Sequence, residues 1–158
     1  MFNPLQKTMV GHAALVMVVA MCAGVGLMLS LLGGIELVPG HITEFAIPGN
    51  TPAWARAHVG GILNSLLVIA LALVLPGLEF SGRAAARLGW LFVGTGWANT
   101  VFYWAALFAP NRALSLGPNR FGESNLAAVI GFVPALLFAV LALAAMAVIA
   151  RKAFSGRG

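Results

Sequence analysis

The chain contains no aspartate, and its four acidic residues are Glu36, Glu44, Glu79 and Glu123. Charged side chains make up 8% of its 158 residues, against about 25% in an ordinary soluble domain. Nine basic and four acidic groups cannot cover the surface of a soluble protein this long, so a soluble globular enzyme is excluded. There is one cysteine, Cys22, which excludes an internal disulfide, a thiolate zinc cage and a CxxCH haem attachment. The net charge of +5 comes from basic residues scattered along the whole chain. They form no basic patch, which excludes a nucleic-acid binder. What is abundant is apolar: 61% of residues, which also excludes a disordered chain. The remaining class is a small polytopic membrane protein.

A membrane span needs about 20 largely apolar residues. Four segments qualify, at about 10–32, 57–78, 88–109 and 126–150, and none has a charged side chain in its central part. They predict one domain, an all-α bundle of four membrane helices. The first segment is too long for a signal-peptide core and has no cleavage-like site after it. Pro52 marks a helix start near Trp54, Pro76 and Pro110 end the second and third helices, and Pro134 should kink the fourth.

Orientation follows from Lys and Arg in the short loops. With four spans, Lys7, Arg83, Arg87, Arg151, Lys152 and Arg157 share one side, and Arg56, Arg112 and Arg120 the other. The excess places both termini in the cytoplasm. The outer side then carries two long loops, Gly33 to Ala53 and Pro110 to Asn125, both rich in turn residues. Such loops are where sites tend to sit.

Polar groups inside spans are costly and need a reason. They are His12, Ser30, His58, Asn64, Ser65, Thr95, Asn99, Thr100 and Tyr103, the last being the lone tyrosine. A rise of roughly 1.5 Å per residue puts Asn64, Asn99 and Tyr103 at comparable depth in the outer half, with His58 above them. Thr95, Asn99 and Tyr103 share one face of the third span. Each alone is explained by helix–helix hydrogen bonding; their convergence in one layer is what points to a site. His12 lies at the opposite end of the bilayer and reads as a packing residue.

His58 has no partners for a metal site built from protein ligands alone. Haem needs only one axial His, because it brings four nitrogens itself. Gly61, one turn on, would let a flat macrocycle lie close to the helix. A single axial ligand with an open distal face suits binding or Lewis-acid chemistry. An electron carrier or sensor would need a second ligand, for which His41 on the outer loop remains open. A third possibility is a cofactor-free membrane subunit that uses the polar stripe for packing.

The stretches KTMVGHAALVM, GVGLMLSLLGGIELVPGHITEFAIPG, WARAHVGGILN, GWANTVFYW and FAPNRALSLGPNRFG run from Lys7 to Gly122. On these the chain resembles the styrene oxide isomerase family, in loops as well as spans. The resemblance implies a bacterial inner-membrane protein that assembles as a homotrimer and binds haem b at subunit interfaces. It implies His58 of WARAH as the axial ligand of the ferric iron, and Tyr103, Asn64 and Asn99 as active-site residues. The implied reaction is a Meinwald rearrangement of a small apolar aryl epoxide, styrene oxide, to phenylacetaldehyde, with iron as the Lewis acid and a 1,2-hydride shift. Arg112 or Arg56, at the outer rim, would pair with haem propionates. One geometric difficulty stands. His58 and Asn64 point about 120° apart on a helix of 3.6 residues per turn. Both reach one site only if haem lies at an interface or the helix is distorted near Gly60–Gly61.

Overall fold

A computed structural model describes residues 1–155, so Arg157 lies outside the described residues. Among the described residues there are four α-helices: α1 (Pro4–Leu32), α2 (Thr51–Val74), α3 (Gly82–Ala105) and α4 (Leu126–Ser155). A short 3-10 turn, Leu75–Leu78, continues α2. The loop between α1 and α2 holds an antiparallel hairpin of β1 (Gly34–Val38) and β2 (His41–Glu44).

The helix boundaries are set by local polar caps, which apolar runs do not reveal. α1 begins six residues before its apolar run. Asn3 accepts from the Gln6 backbone N–H at 2.9 Å, and the Gln6 side chain accepts from the Asn3 N–H at 2.9 Å. This reciprocal box satisfies donors that the first turn leaves unpaired. Asn50 caps α2 by accepting from Ala53 N–H at 2.9 Å, with Pro52 in the first turn. Asn125 caps α4 in the same way and donates to the Phe108 carbonyl at 2.8 Å, tying the end of α3 to the start of α4. α4 passes through Pro134 as one helix.

α1 packs chiefly on α2 and α3 chiefly on α4, and α3 also touches α1 and α2. Of the four expected spans, three are long and apolar enough to cross a membrane: Pro4–Leu32, Thr51–Leu78 and Leu126–Ser155. α3 is long enough, at about 36 Å for its 24 residues. Its composition is less apolar, because it carries Arg83, Arg87, Thr95, Asn99 and Thr100. A helix in contact with all three others needs less lipid-compatible surface than one on the outside. α4 is the opposite case, with only 11% of its apolar window enclosed. Its outward Leu136, Leu137, Val140 and Leu143 need lipid or another chain against them. The chain is therefore an all-α helical bundle of membrane type.

One core, at the end of the bundle that holds the N-terminus, centres on Phe92 of α3, 1% exposed, with Met9, Val68, Leu71 and Ile149 around it. Substituting Phe92→Ala removes a ring from a closed space. Unfolding in mixed micelles should show a loss of about 3 kcal/mol or more. Leu143→Ala, at a position 74% exposed, should change it by less than about 0.5 kcal/mol.

Candidate functional site

Helix α2 carries the candidate site residues on two flanks. On the flank toward α1, the His58 ring lies against Gly24: a Cβ built on Gly24 would sit 2.7 Å from Nδ1 and 2.8 Å from Cε1. His58 Nδ1 is 2.9 Å from the Ala20 carbonyl oxygen. A carbonyl only accepts, so Nδ1 carries the proton and donates it. In the neutral ring this leaves the Nε2 lone pair free. Nε2 makes no hydrogen bond among the described residues and is not enclosed. A ring oriented through one nitrogen with the other free is the usual arrangement of a ligating histidine.

The other flank of α2 faces α3. Asn99 donates to Asn64 Oδ1 at 2.8 Å, and Asn64 donates to the Gly60 carbonyl at 2.7 Å. The Tyr103 ring covers Gly60 so closely that a Cβ there would lie 2.5 Å from its Cζ. The Tyr103 hydroxyl has no hydrogen-bond partner among the described residues and is not enclosed. So Asn64, Asn99 and Tyr103 come together around one turn of α2, and His58 stands on the adjacent flank. Val59, between His58 and Gly60 in the chain, is 52% exposed. The angular separation expected from helix geometry is real. The α2 helix runs unbroken through Gly60 and Gly61 and does not distort to remove it.

Thr95 of the stripe, and Thr100 beside it in the chain, are satisfied within their own helix. Thr95 donates to the Leu91 carbonyl and Thr100 to that of Gly96. Gly61 turns toward α1, where a Cβ would meet Ala20 at 2.6 Å, so its small size serves helix packing. His12 accepts from Trp97 Nε1 at 3.2 Å, and Trp90 meets it edge-on. Trp104 stacks edge-on against Trp54, whose Nε1 donates to the Pro48 carbonyl. His41 is exposed on β2.

Arg112 sits outside this layer. With Arg56 it lines a cleft of about 370 Å³ between the start of α2, the end of α3 and the 110–125 loop. Asn111, wholly buried, anchors that loop. It donates to the Ser115 and Gly117 carbonyls and accepts from the Ala113 N–H.

A family model described as styrene oxide isomerase matches residues 5–154 of this chain. The chain belongs to the styrene oxide isomerase family. A relative from Pseudomonas fluorescens named styrene-oxide isomerase is 43% identical over 158 residues, covering all of this chain and 94% of that one. With the family comes the enzyme class: the chain is an isomerase.

Gly24 and Asn111 were not anticipated among the site-forming residues. Gly24 follows Ala20 by four, a small-xxx-small spacing that marks close helix contact in membranes, and that signal could have found it. Asn111 lies in a loop where no periodicity applies, and only its burial identifies it.

Because the chain has one tyrosine, 3-fluorotyrosine labelling yields one ¹⁹F resonance. Gly60→Ala should shift or broaden it by displacing the ring. Gly11→Ala, where a Cβ meets nothing within 4 Å, should leave it unchanged.

Proposed function

We propose that this protein converts styrene oxide and related aryl epoxides to aryl acetaldehydes by a Meinwald rearrangement, with haem b bound at His58. The observation that carries the reading is the oriented His58, its Nε2 free, on the helix that also bears the Gly60–Asn64–Asn99–Tyr103 cluster. The whole-length likeness to a protein named styrene-oxide isomerase supports the substrate.

The residues suit the cofactor. Among the described residues no three or more His, Cys, Asp or Glu side chains cluster as a metal site. A lone imidazole with one committed and one free nitrogen suits a group that brings its own other ligands. Bound there, ferric haem would supply Lewis acidity. His58 would hold it through Nε2, with the Ala20 carbonyl keeping the ring in the ligating tautomer, and Arg112 would stand at the rim for its carboxylates. Gly61, filled by Ala20 on the α1 side, takes no part in that contact.

The overall reaction opens the benzylic carbon–oxygen bond, moves a hydride from the oxygen-bearing carbon to the benzylic carbon, and leaves a carbonyl. It neither adds water nor changes net redox state. The Tyr103 hydroxyl, free to donate, orients the epoxide oxygen. The Asn64 amide oxygen is already occupied by Asn99, so Asn64 acts with its remaining N–H, and Asn99 fixes its direction. No carboxylate lies on the spanning segments to capture the developing cation and divert it to a diol. The apolar bundle keeps water away from it.

The His58 flank is not closed within one chain, which supports assembly as a homotrimer with haem at subunit boundaries. The apolar helices and the loop charge bias support a multi-pass protein of the bacterial inner membrane with both termini cytoplasmic.

Membranes containing the protein should turn styrene oxide into phenylacetaldehyde, measured by gas chromatography, and the purified protein should show a Soret band. His58→Ala should lose band and activity together. Tyr103→Phe should keep the band and lower kcat/KM by roughly tenfold or more. A colourless, fully active protein would overturn the haem assignment.

A further inference from the structure

The bundle holds a half-enclosed space away from the polar layer. At the end that carries the N-terminus, a cavity of about 200 Å³ lies between the starts of α1 and α3 and the end of α2. Ala72 on its wall follows Gly60 by twelve residues, about 18 Å along α2. Buried Met9 and Leu75 and half-buried Phe80 give it apolar walls. Ala72, Gly82 and Ala85 line it with almost no side chain, and a Cβ built on Gly82 meets nothing within 4 Å. An apolar cavity of about 150 Å³ holds benzene. This one has room for an aromatic ring with a short arm.

Its polar side chains are of one kind. Asn3 and Gln6 line the cavity, and the amide oxygen of each accepts the other's backbone N–H at 2.9 Å. Those backbone donors fix which amide atom is oxygen and which is nitrogen. Pro76 has no N–H to offer the Ala72 carbonyl four residues earlier, and Gln6 Nε2 donates to it at 2.9 Å. The second Gln6 Nε2–H and both N–H groups of the Asn3 side chain have no partner among the described residues. The cavity therefore offers spare donors beside apolar walls, while its amide oxygens are already engaged. No acidic or basic side chain lines it, so a charged ligand is unmatched there. A matched ligand has a small apolar body, an acceptor oxygen and no donor of its own.

We propose that this cavity is a second binding site, for small aryl molecules that carry an acceptor oxygen and no hydrogen-bond donor. The ring fills the space left by Ala72, Gly82 and Ala85, and the oxygen takes the spare N–H groups of Asn3 and Gln6. Aryl epoxides and aryl acetaldehydes both belong to that class. That the natural occupant is one of them rests on the reaction proposed above. The match between the cavity and the class does not.

The test uses the full-length protein in lipid nanodiscs, labelled with methyl-¹³C methionine and 3-fluorotyrosine. The probes are acetophenone and α-methylstyrene, which has the same shape with CH₂ in place of the carbonyl oxygen. The Met9 methyl resonance, assigned by its loss in Met9→Leu, reports the cavity, and the Tyr103 resonance reports the candidate site. Acetophenone should shift Met9 saturably, with a Kd roughly fivefold below that of α-methylstyrene. Asn3→Asp and Gln6→Glu keep the capping oxygens and remove the donors. Each should reduce the preference, and the two together should abolish it. Ala85→Leu fills the space and should abolish the Met9 shift; if that variant does not fold, the donor-free pair decides. No saturable Met9 shift, equal affinity of wild type for the two probes, or a preference that survives in the donor-free pair overturns the proposal. Styrene oxide turnover is read on the same samples. Binding at Met9 without turnover refutes the proposed reaction and leaves the site standing, and turnover without binding at Met9 refutes the site alone.

Discussion

The close approach of α1 and α2 is the constraint on which the candidate site depends. Lipid tails are as apolar as leucine, so helices in a membrane associate through tight packing and interhelical hydrogen bonds. Here Ala20, Gly24 and Gly61 offer almost no side chain at the seam. The space left at Gly24 takes the His58 ring, and the Ala20 backbone is then near enough to accept its proton. Ser65, donating to the Ala13 carbonyl at 2.7 Å, and Gln6, donating to that of Ala72 at 2.9 Å, continue the seam toward the start of α1. A seam wider by one methyl group would leave His58 without its partner and its tautomer unspecified.

The second seam, between α2 and α3, uses the same device for a different purpose. Gly60 admits the Tyr103 ring, and Asn64 and Asn99 spend their amides on each other and on the α2 backbone. Two glycines one residue apart therefore serve two neighbours: Gly60 faces α3 and Gly61 faces α1. The helix stays intact because each of these contacts relies on missing side chains and none on a missing backbone bond. The polar layer is thus divided between two flanks of one helix, with a free ring nitrogen on one and a free phenolic hydroxyl on the other.

Much of this was legible in the residues themselves. Apolar run lengths located all four helices, and a rise per residue was enough to place Asn64 and Asn99 at one depth, where they are hydrogen-bonded. Their true ends were not legible, since Asn3, Asn50 and Asn125 act through single side-chain bonds that hydropathy cannot register. Nor was the role of Gly61. A glycine beside a histidine reads equally well as room for a macrocycle or as room for another helix, and only the position of Ala20 decides between them. α3 shows a related limit. Thr95, Asn99 and Tyr103 read as a stripe, yet Thr95 bonds within its own helix, leaving Asn99 and Tyr103 as the members that reach outward.

The absence of aspartate and the scarcity of charge determined, without any coordinates, that the chain is a membrane bundle lacking carboxylate chemistry in its spans. That follows from composition because burying a charge in hydrocarbon is expensive wherever it falls. Which polar groups face one another was decided by tertiary structure alone. The His58 tautomer depends on a carbonyl 38 residues earlier, and the Asn64 amide is oriented by a side chain 35 residues later. Arg112 and Arg120 meet the Phe121 ring, and Arg112 lines one cleft with Arg56, through a loop that the buried Asn111 closes. Such pairings are set by distances between helices, which no local pattern in the chain encodes.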